Sequence, residues 1–285
     1  MSAGGGGGNK YGMIAGSGRF PVLALAEARK LGDEVVVIAI KDETAPGFEQ
    51  QAGGKVHWIT IAELSKLIDI LKREGATQVM MCGQVKHASI FSSLRPDWRL
   101  GKLLMSLKER NTDALIGGVI SVLAGEGIEV VDSTRLLKPL LAGEGVLTRR
   151  KPTDEEQKEV RYGRRIAAAL SAFDLGQSVA IAGRACVALE AMEGTDAMLR
   201  RAATLAGGHR ITLVKGSRRR GHLLFDVPVA GPGTIEAMKE TGATVLAMDA
   251  GRTLLLDRGP MLAAANEAGI AIVAHRIDEH EEPPQ

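Results

Sequence analysis

Apolar positions along this chain follow two rhythms that take turns. "YGMIAG", residues 11–16, is a short apolar run closing on glycine, and "PVLALAEARKLG" behind it repeats Leu and Ala at helical spacing. The first predicts a strand and the second a helix ending at Gly32. "EVVVIAI" is apolar without alternation and rich in β-branched residues, which predicts a strand buried on both faces. "KVHWITI" and "QVMMCGQV" predict two further strands, and "AELSKLIDILKREGA" between them predicts an amphipathic helix. Helical segments around 99–124 follow, and "GIEVVDST" closes the half. Such alternation implies a parallel sheet with helices on both faces. Ligands of such sheets bind beyond the carboxyl ends of the strands. Two strands here end in glycine plus a polar residue, Gly16-Ser17 and Gly83-Gln84. If they are neighbours, their loops open into one crevice.

The rhythm changes near residue 150, at "LTRRKPTDEEQKEV". Thr153 with Glu156 reads as a capping box for a helix running to about Phe173. "SVAIAGRACVALEAME" predicts a hairpin turning at Gly183-Arg184, "GTDAMLRRAATLAG" a helix, "RITLVKG" a strand, and "LLFDVPVAG" an extended segment. After the helix "PGTIEAMKETG", the stretch "TVLAMDAGRTLLLD" predicts a second hairpin; "GPMLAAANEAG" and "IAIVAH" predict a last helix and strand. The organisation expected is a Gly-rich N-terminus over 1–9, an N-terminal Rossmann-like domain over 10–150, a C-terminal α/β domain over 151–278, and a polar tail over 279–285.

Composition narrows the function. Of 285 residues, aromatics make up only 3%, so a core of aliphatic side chains is implied and an aromatic platform for stacking nucleic-acid bases is not. The formal charge of +2 fits an anionic ligand without requiring one. Cys82 and Cys186 form no CxxC, the opening Gly4–Gly8 run offers no apolar signal segment, and the expected compartment is the cytoplasm. The six histidines do not cluster, and no GxSxG supports a serine hydrolase.

Gly16-Ser17-Gly18, between a strand and a helix, can bring backbone N–H groups to an anion, and Arg19 adds a guanidinium suited to phosphate. It is equally a tight turn. The third glycine of a dinucleotide fingerprint is missing, so a nicotinamide cofactor is disfavoured. Glu193-Gly194-Thr195-Asp196 can cap a helix or admit a ligand beside Gly194. Asp226, between Phe225 and Val227 and before Pro228, is a carboxylate on an extended segment, and Lys215 could aim a cation at the same place. Asp249 and Asp257 flank the second predicted hairpin, and several carboxylates in one half could hold Mg²⁺. Arg149-Arg150-Lys151 and Arg218-Arg219-Arg220 are local basic runs.

Taken in order, "GMIAGSGRFPV", "MMCGQV", "DALIGGVI", "FDLGQSVAI", "ALEAMEGTDAMLRRA", "LVK", "FDVPVAGPGTI" and "DAGRTLLLDR" resemble the UDP-2,3-diacylglucosamine pyrophosphatases of the LpxI type, from lipid A biosynthesis, over nearly the whole chain. The resemblance implies two α/β domains with the substrate between them. It implies Mg²⁺-dependent hydrolysis of UDP-2,3-diacylglucosamine to UMP and 2,3-diacylglucosamine 1-phosphate (lipid X). The catalytic aspartate would fall on Asp226. Substrate contacts would fall on Gly16, Ser17, Gly18, Arg19, Phe20, Gln84, Lys86, Gln177, Thr195, Asp196 and Lys215, and metal ligation on Asp226 and Asp196. Where the family pattern carries a Gln–acid pair and an arginine ahead of its aspartate, this chain has Gly221-His222 and Leu224; Asp249 stands where a Glu is usual. A small-molecule lipid-linked substrate, no nucleic acid, peripheral contact with the inner membrane and a homodimer are compatible with the resemblance. The alternative is a non-catalytic UDP-sugar or nucleotide-binding protein on the same scaffold.

Overall fold

The computed structural model describes residues 9–83, 85, 95–108, 112–172, 176–217 and 227–277. The chain packs as two units, Met1–Leu137 and Lys138–Gln285.

In the first unit, strands β1 (Lys10–Ala15), β2 (Glu34–Ile40), β3 (Val56–Ile59), β4 (Gln78–Cys82) and β5 (Glu129–Val130) form one sheet in the order β3-β2-β1-β4-β5. Every pairing is parallel. Helices α1 (Phe20–Leu31), α2 (Phe48–Ala52), α3 (Leu64–Arg73), α4 (Trp98–Ser106) and α5 (Thr112–Gly125) lie between the strands in sequence. The unbroken apolar run of β2 is explained by its place: Val36 to Ile40 are all buried, with strands hydrogen-bonded on both sides. Leu64, Leu67, Ile68 and Leu71 of α3 are buried at helical spacing, and with Ile38, Ile59 and Val79 they form the core of this unit. The strand order reverses between β1 and β4, which makes the gap beyond their carboxyl ends a topological switch point.

The second unit carries a six-stranded mixed sheet, ordered β6-β13-β11-β9-β7-β8. Its strands are β6 (Gly145–Val146), β7 (Ser178–Ala182), β8 (Ala185–Leu189), β9 (Ile211–Lys215), β11 (Ala243–Asp249) and β13 (Ala271–His275). β9, β11 and β13 run parallel, and β6, β7 and β8 are antiparallel additions at the edges. Helices α6 (Asp154–Ala172), α7 (Thr195–Leu205), α8 (Pro232–Thr241) and α9 (Arg258–Glu267) surround it. The pleat splits the apolar run of β11 between two cores. Leu246 and Met248 join Met198, Leu199, Ile235 and Met261, whereas Val245 and Ala247 join Val160, Ala167 and Val214.

The capping box at α6 forms as read. Thr153 N–H donates to Glu156 Oε2 at 2.8 Å, and Glu156 N–H donates to Thr153 Oγ1 at 3.3 Å. β7 and β8 form the expected hairpin, with Gly183 and Arg184 both at positive φ, 56° and 65°. By packing, the two units divide at Leu137/Lys138, and Val146 pairs with Val273 of β13.

The second predicted hairpin is a correction. β11 pairs on one side with β9 and on the other with β13, so neither edge is open to the chain that follows. Leu254-Leu255 forms β12 instead, in a separate two-stranded parallel sheet with β10 (Val229–Ala230). Two apolar runs joined by a Gly-containing turn look like a hairpin locally; the sheet's own pairing overrides that appearance.

Candidate functional site

The anticipated neighbours in the first unit are neighbours in fact. Ala15 and Cys82 are partners in the β1–β4 ladder, and Gly16 N–H donates to Cys82 O at 2.8 Å. The Gly16-Ser17 and Gly83 turns therefore leave the same end of adjacent strands at the switch point. Gly83 has φ +92°, and a Cβ built there would meet Ser17 O at 2.4 Å. A side chain at 83 would thus push the two loops apart. Gly18 has φ +87°, and α1 starts two residues later with Pro21 in its first turn. Arg19 is exposed at the helix start, whereas Phe20 is buried and belongs to the core. Burial pushes the Cys82 thiol far above its ordinary range, so it supplies no thiolate here. Gln84 and Lys86 lie outside the described residues.

In the second unit, polar groups gather where β9 ends, β7 begins and α7 starts. α7 opens after Gly194, which has no side chain to cap with, and the Thr195 hydroxyl faces a different set of partners. Lys215 Nζ donates to Thr195 Oγ1 at 2.9 Å, and Thr195 Oγ1 donates to Glu190 Oε1 at 3.1 Å. Ser178 Oγ stands 3.1 Å from the same oxygen. One donor and two acceptor positions of the hydroxyl are thereby matched to three neighbours. Lys215 and Ser178 are buried and face each other in the β7–β9 register. The second oxygen of Glu190, Oε2, is buried and has no hydrogen-bond partner among the described residues. Gln177 joins through its backbone, whose carbonyl accepts from Gly216 N–H at 2.8 Å. Asp196 is exposed in the first turn of α7, where a carboxylate favours the helix dipole.

A second polar set sits one strand over. The buried Asp249 ends β11, and its Oδ2 accepts from Ser217 N–H at 2.7 Å and from Ser217 Oγ at 2.9 Å. Arg164 of α6 lies 3.4 Å from Asp249 Oδ1 and donates to Arg276 O at 2.7 Å. These contacts pin the chain directly after Lys215. Leu254 N–H donates to Pro228 O at 2.9 Å. Asp226, Arg218-Arg219-Arg220, Gly221-His222 and Leu224 lie outside the described residues.

The sequence had singled out Lys215, Thr195 and Gln177, and the fold brings them together. Glu190, Ser178 and Arg164 were missed. Glu190 directly follows β8 and could have been noticed as a carboxylate between a strand and a glycine-led helix start. Ser178 and Arg164 gave no signal, because their partners are 17 and 85 or more residues away.

Matches to known proteins fall on both units. Residues 10–147 match the model of the LpxI N-terminal domain, and residues 143–273 match that of the LpxI C-terminal domain. This chain belongs to the LpxI family. A relative from Caulobacter vibrioides, named UDP-2,3-diacylglucosamine pyrophosphatase LpxI, is 30% identical over 287 residues, covering 96% of this chain and 99% of its own. The two LpxI domain matches meet at 143–147, the stretch that holds β6.

No group of three or more His, Cys, Asp or Glu side chains among the described residues could hold a metal ion. Among them, no helix is long and apolar enough to cross a membrane.

Proposed function

We propose that this LpxI-family chain is a cytoplasmic enzyme of lipid A biosynthesis that hydrolyses the pyrophosphate of UDP-2,3-diacylglucosamine, giving UMP and 2,3-diacylglucosamine 1-phosphate. The end-to-end likeness to the Caulobacter relative carries this reading. The strand order of the first unit supports a Rossmann-like sheet whose switch point receives part of the UDP-sugar.

The residues present suit the chemistry. Attack by water on one phosphorus forms a P–O bond, breaks the bridging P–O bond and leaves a phosphate on each product. The barrier is lowered mainly by positioning and by countering charge. Lys215 supplies a cation whose place is set through Thr195. Asp226 would orient the attacking water and receive its proton. Mg²⁺ needs only one or two carboxylates when phosphate oxygens and water complete its shell. Asp226 and Asp196 would hold such an ion together with the diphosphate. Such an ion would draw negative charge from the phosphate oxygens.

The test is turnover of UDP-2,3-diacylglucosamine by purified protein, with both products identified by mass spectrometry. Asp226→Ala is expected to bind substrate and lose at least ~100-fold in kcat, the low end of general acid–base catalysis. Near-wild-type turnover would remove Asp226 from the mechanism. Substrate binding without any turnover by the wild type would favour a non-catalytic UDP-sugar-binding protein.

A further inference from the structure

Helix α4 is built with two faces. Leu100, Leu103, Leu104 and Leu107, from its body and first following residue, pack into the core of the first unit. Trp98 and Met105, two turns apart, project on another side and are 67% and 89% exposed. Exposed apolar residues are ordinary when single. An indole and a methionine seven residues apart on one short helix are not so easily dismissed, because their surroundings are cationic. Residues 95–108 carry Arg95, Arg99, Lys102 and Lys108, and a single carboxylate, Asp97. Asp97 is already committed as the helix cap: Oδ1 accepts from Leu100 N–H at 2.9 Å and Oδ2 from Ser65 N–H at 2.5 Å. Lys102 is exposed and falls between Trp98 and Met105 at i+4 and i−3. Arg99 braces the indole, with its guanidinium carbon 4.6 Å from the ring centroid, while reaching Glu126 at 3.0 Å. The adjoining α5 has no charged side chain from Ala114 to Gly125.

We infer that the Trp98–Met105 face of α4 is a docking surface for a bilayer with anionic headgroups. An indole and a long apolar side chain with an exposed lysine between them are what an interfacial helix presents to such a surface. The cations meet lipid phosphates while Trp98 and Met105 enter the headgroup boundary. A second copy of this chain fits less well. A twofold contact would set Lys102 and its neighbours against their own images. Two apolar side chains also fall well short of the ~800 Å² per partner of a standard interface. The inference adds to the proposed reaction a contact made by the protein itself, apart from the acyl chains of a substrate. Vesicle binding needs no substrate, so its failure would leave the reaction standing, and failure of hydrolysis would leave the docking surface standing.

The experiment is co-sedimentation of the full chain, without substrate, with vesicles of phosphatidylcholine alone and of phosphatidylcholine mixed equally with phosphatidylglycerol. The wild type should bind the anionic vesicles, and binding should weaken as salt screens the charges. Trp98→Ser with Met105→Ser should lower partition at least ~10-fold, and Lys102→Glu should lower it for anionic vesicles. In a Trp58→Phe background, the emission of Trp98 should shift to the blue on anionic vesicles only. Circular dichroism of each variant must match the wild type for the comparison to count. The assignment is overturned if the wild type ignores anionic vesicles, or if the double variant binds them as well as the wild type. It is also overturned if light scattering shows self-association without lipid that the double variant abolishes.

Discussion

Thr195 Oγ1 is the most heavily engaged side-chain atom of the second unit's site. Its acceptance from Lys215 Nζ holds a buried ammonium in one place. Thr195→Val removes that acceptor and leaves Glu190 Oε1 without its donor, with little change in volume. A hydrogen bond to a charged group contributes ~1.5–3 kcal/mol, so kcat/KM should fall by roughly 10–100-fold. Thr195→Ser should restore most of it. Kinetics for both variants, beside their thermal midpoints, check this; an unchanged kcat/KM in the valine variant would make the cluster merely structural. Gly83 gives a second test. With φ +92° and Ser17 O only 2.4 Å from the place an added methyl would take, Gly83→Ala should lower stability by at least ~1 kcal/mol and raise KM. A denaturant midpoint equal to wild type would show that the two loops part freely.

At the scale of elements, α6 is tied to the sheet through one acid. Glu156 is buried, closes the capping box, pairs with Arg150 and accepts from Thr244 Oγ1 of β11 at 2.7 Å. Burial by itself would raise its carboxyl pKa, but Arg150, the Thr153 backbone and Thr244 outweigh it and hold the group below the ordinary range. A depressed folded-state value means stability that is present above the unfolded pKa of ~4.3 and is lost as pH falls through the folded one. Glu156→Gln should therefore lower stability by about 2 kcal/mol at neutral pH. The deficit should shrink as pH falls below ~4, when wild-type Glu156 takes up a proton. Urea unfolding of both proteins across that range reads the difference directly, and a deficit constant with pH would contradict it. This element was legible in advance, because Thr153 and Glu156 lie three residues apart and act within one turn. The partnership with Thr244 was not, since 88 residues separate the two side chains.

For the whole molecule, the proposed reaction separates what metal does for turnover from what it does for folding. In that reaction the ion enters with the diphosphate and is not resident in the fold. Chelation with EDTA should therefore abolish hydrolysis of UDP-2,3-diacylglucosamine and leave the thermal midpoint where it was, with added Mg²⁺ restoring rate alone. A large fall in midpoint on chelation would reveal a structural metal and refute the idea of an ion carried by the diphosphate.

The amino-acid pattern by itself determined most of the elements, because each depends on neighbours in sequence: the buried run of β2, the stripe of α3, the box at Thr153. It also put Gly16-Ser17 and Gly83 at strand ends, and marked Lys215 and Thr195 as candidates. Only the tertiary structure decided which strands lie side by side. Pairing β1 with β4 put the two glycine turns together. Setting β11 between β9 and β13 turned an apparent hairpin into strands of two different sheets. The same pairing brought Asp249 to Ser217, and β7 against β9 brought Ser178 to Lys215. Strand order rests on burying both faces of a sheet at once, a condition on the whole chain that no local run of residues carries.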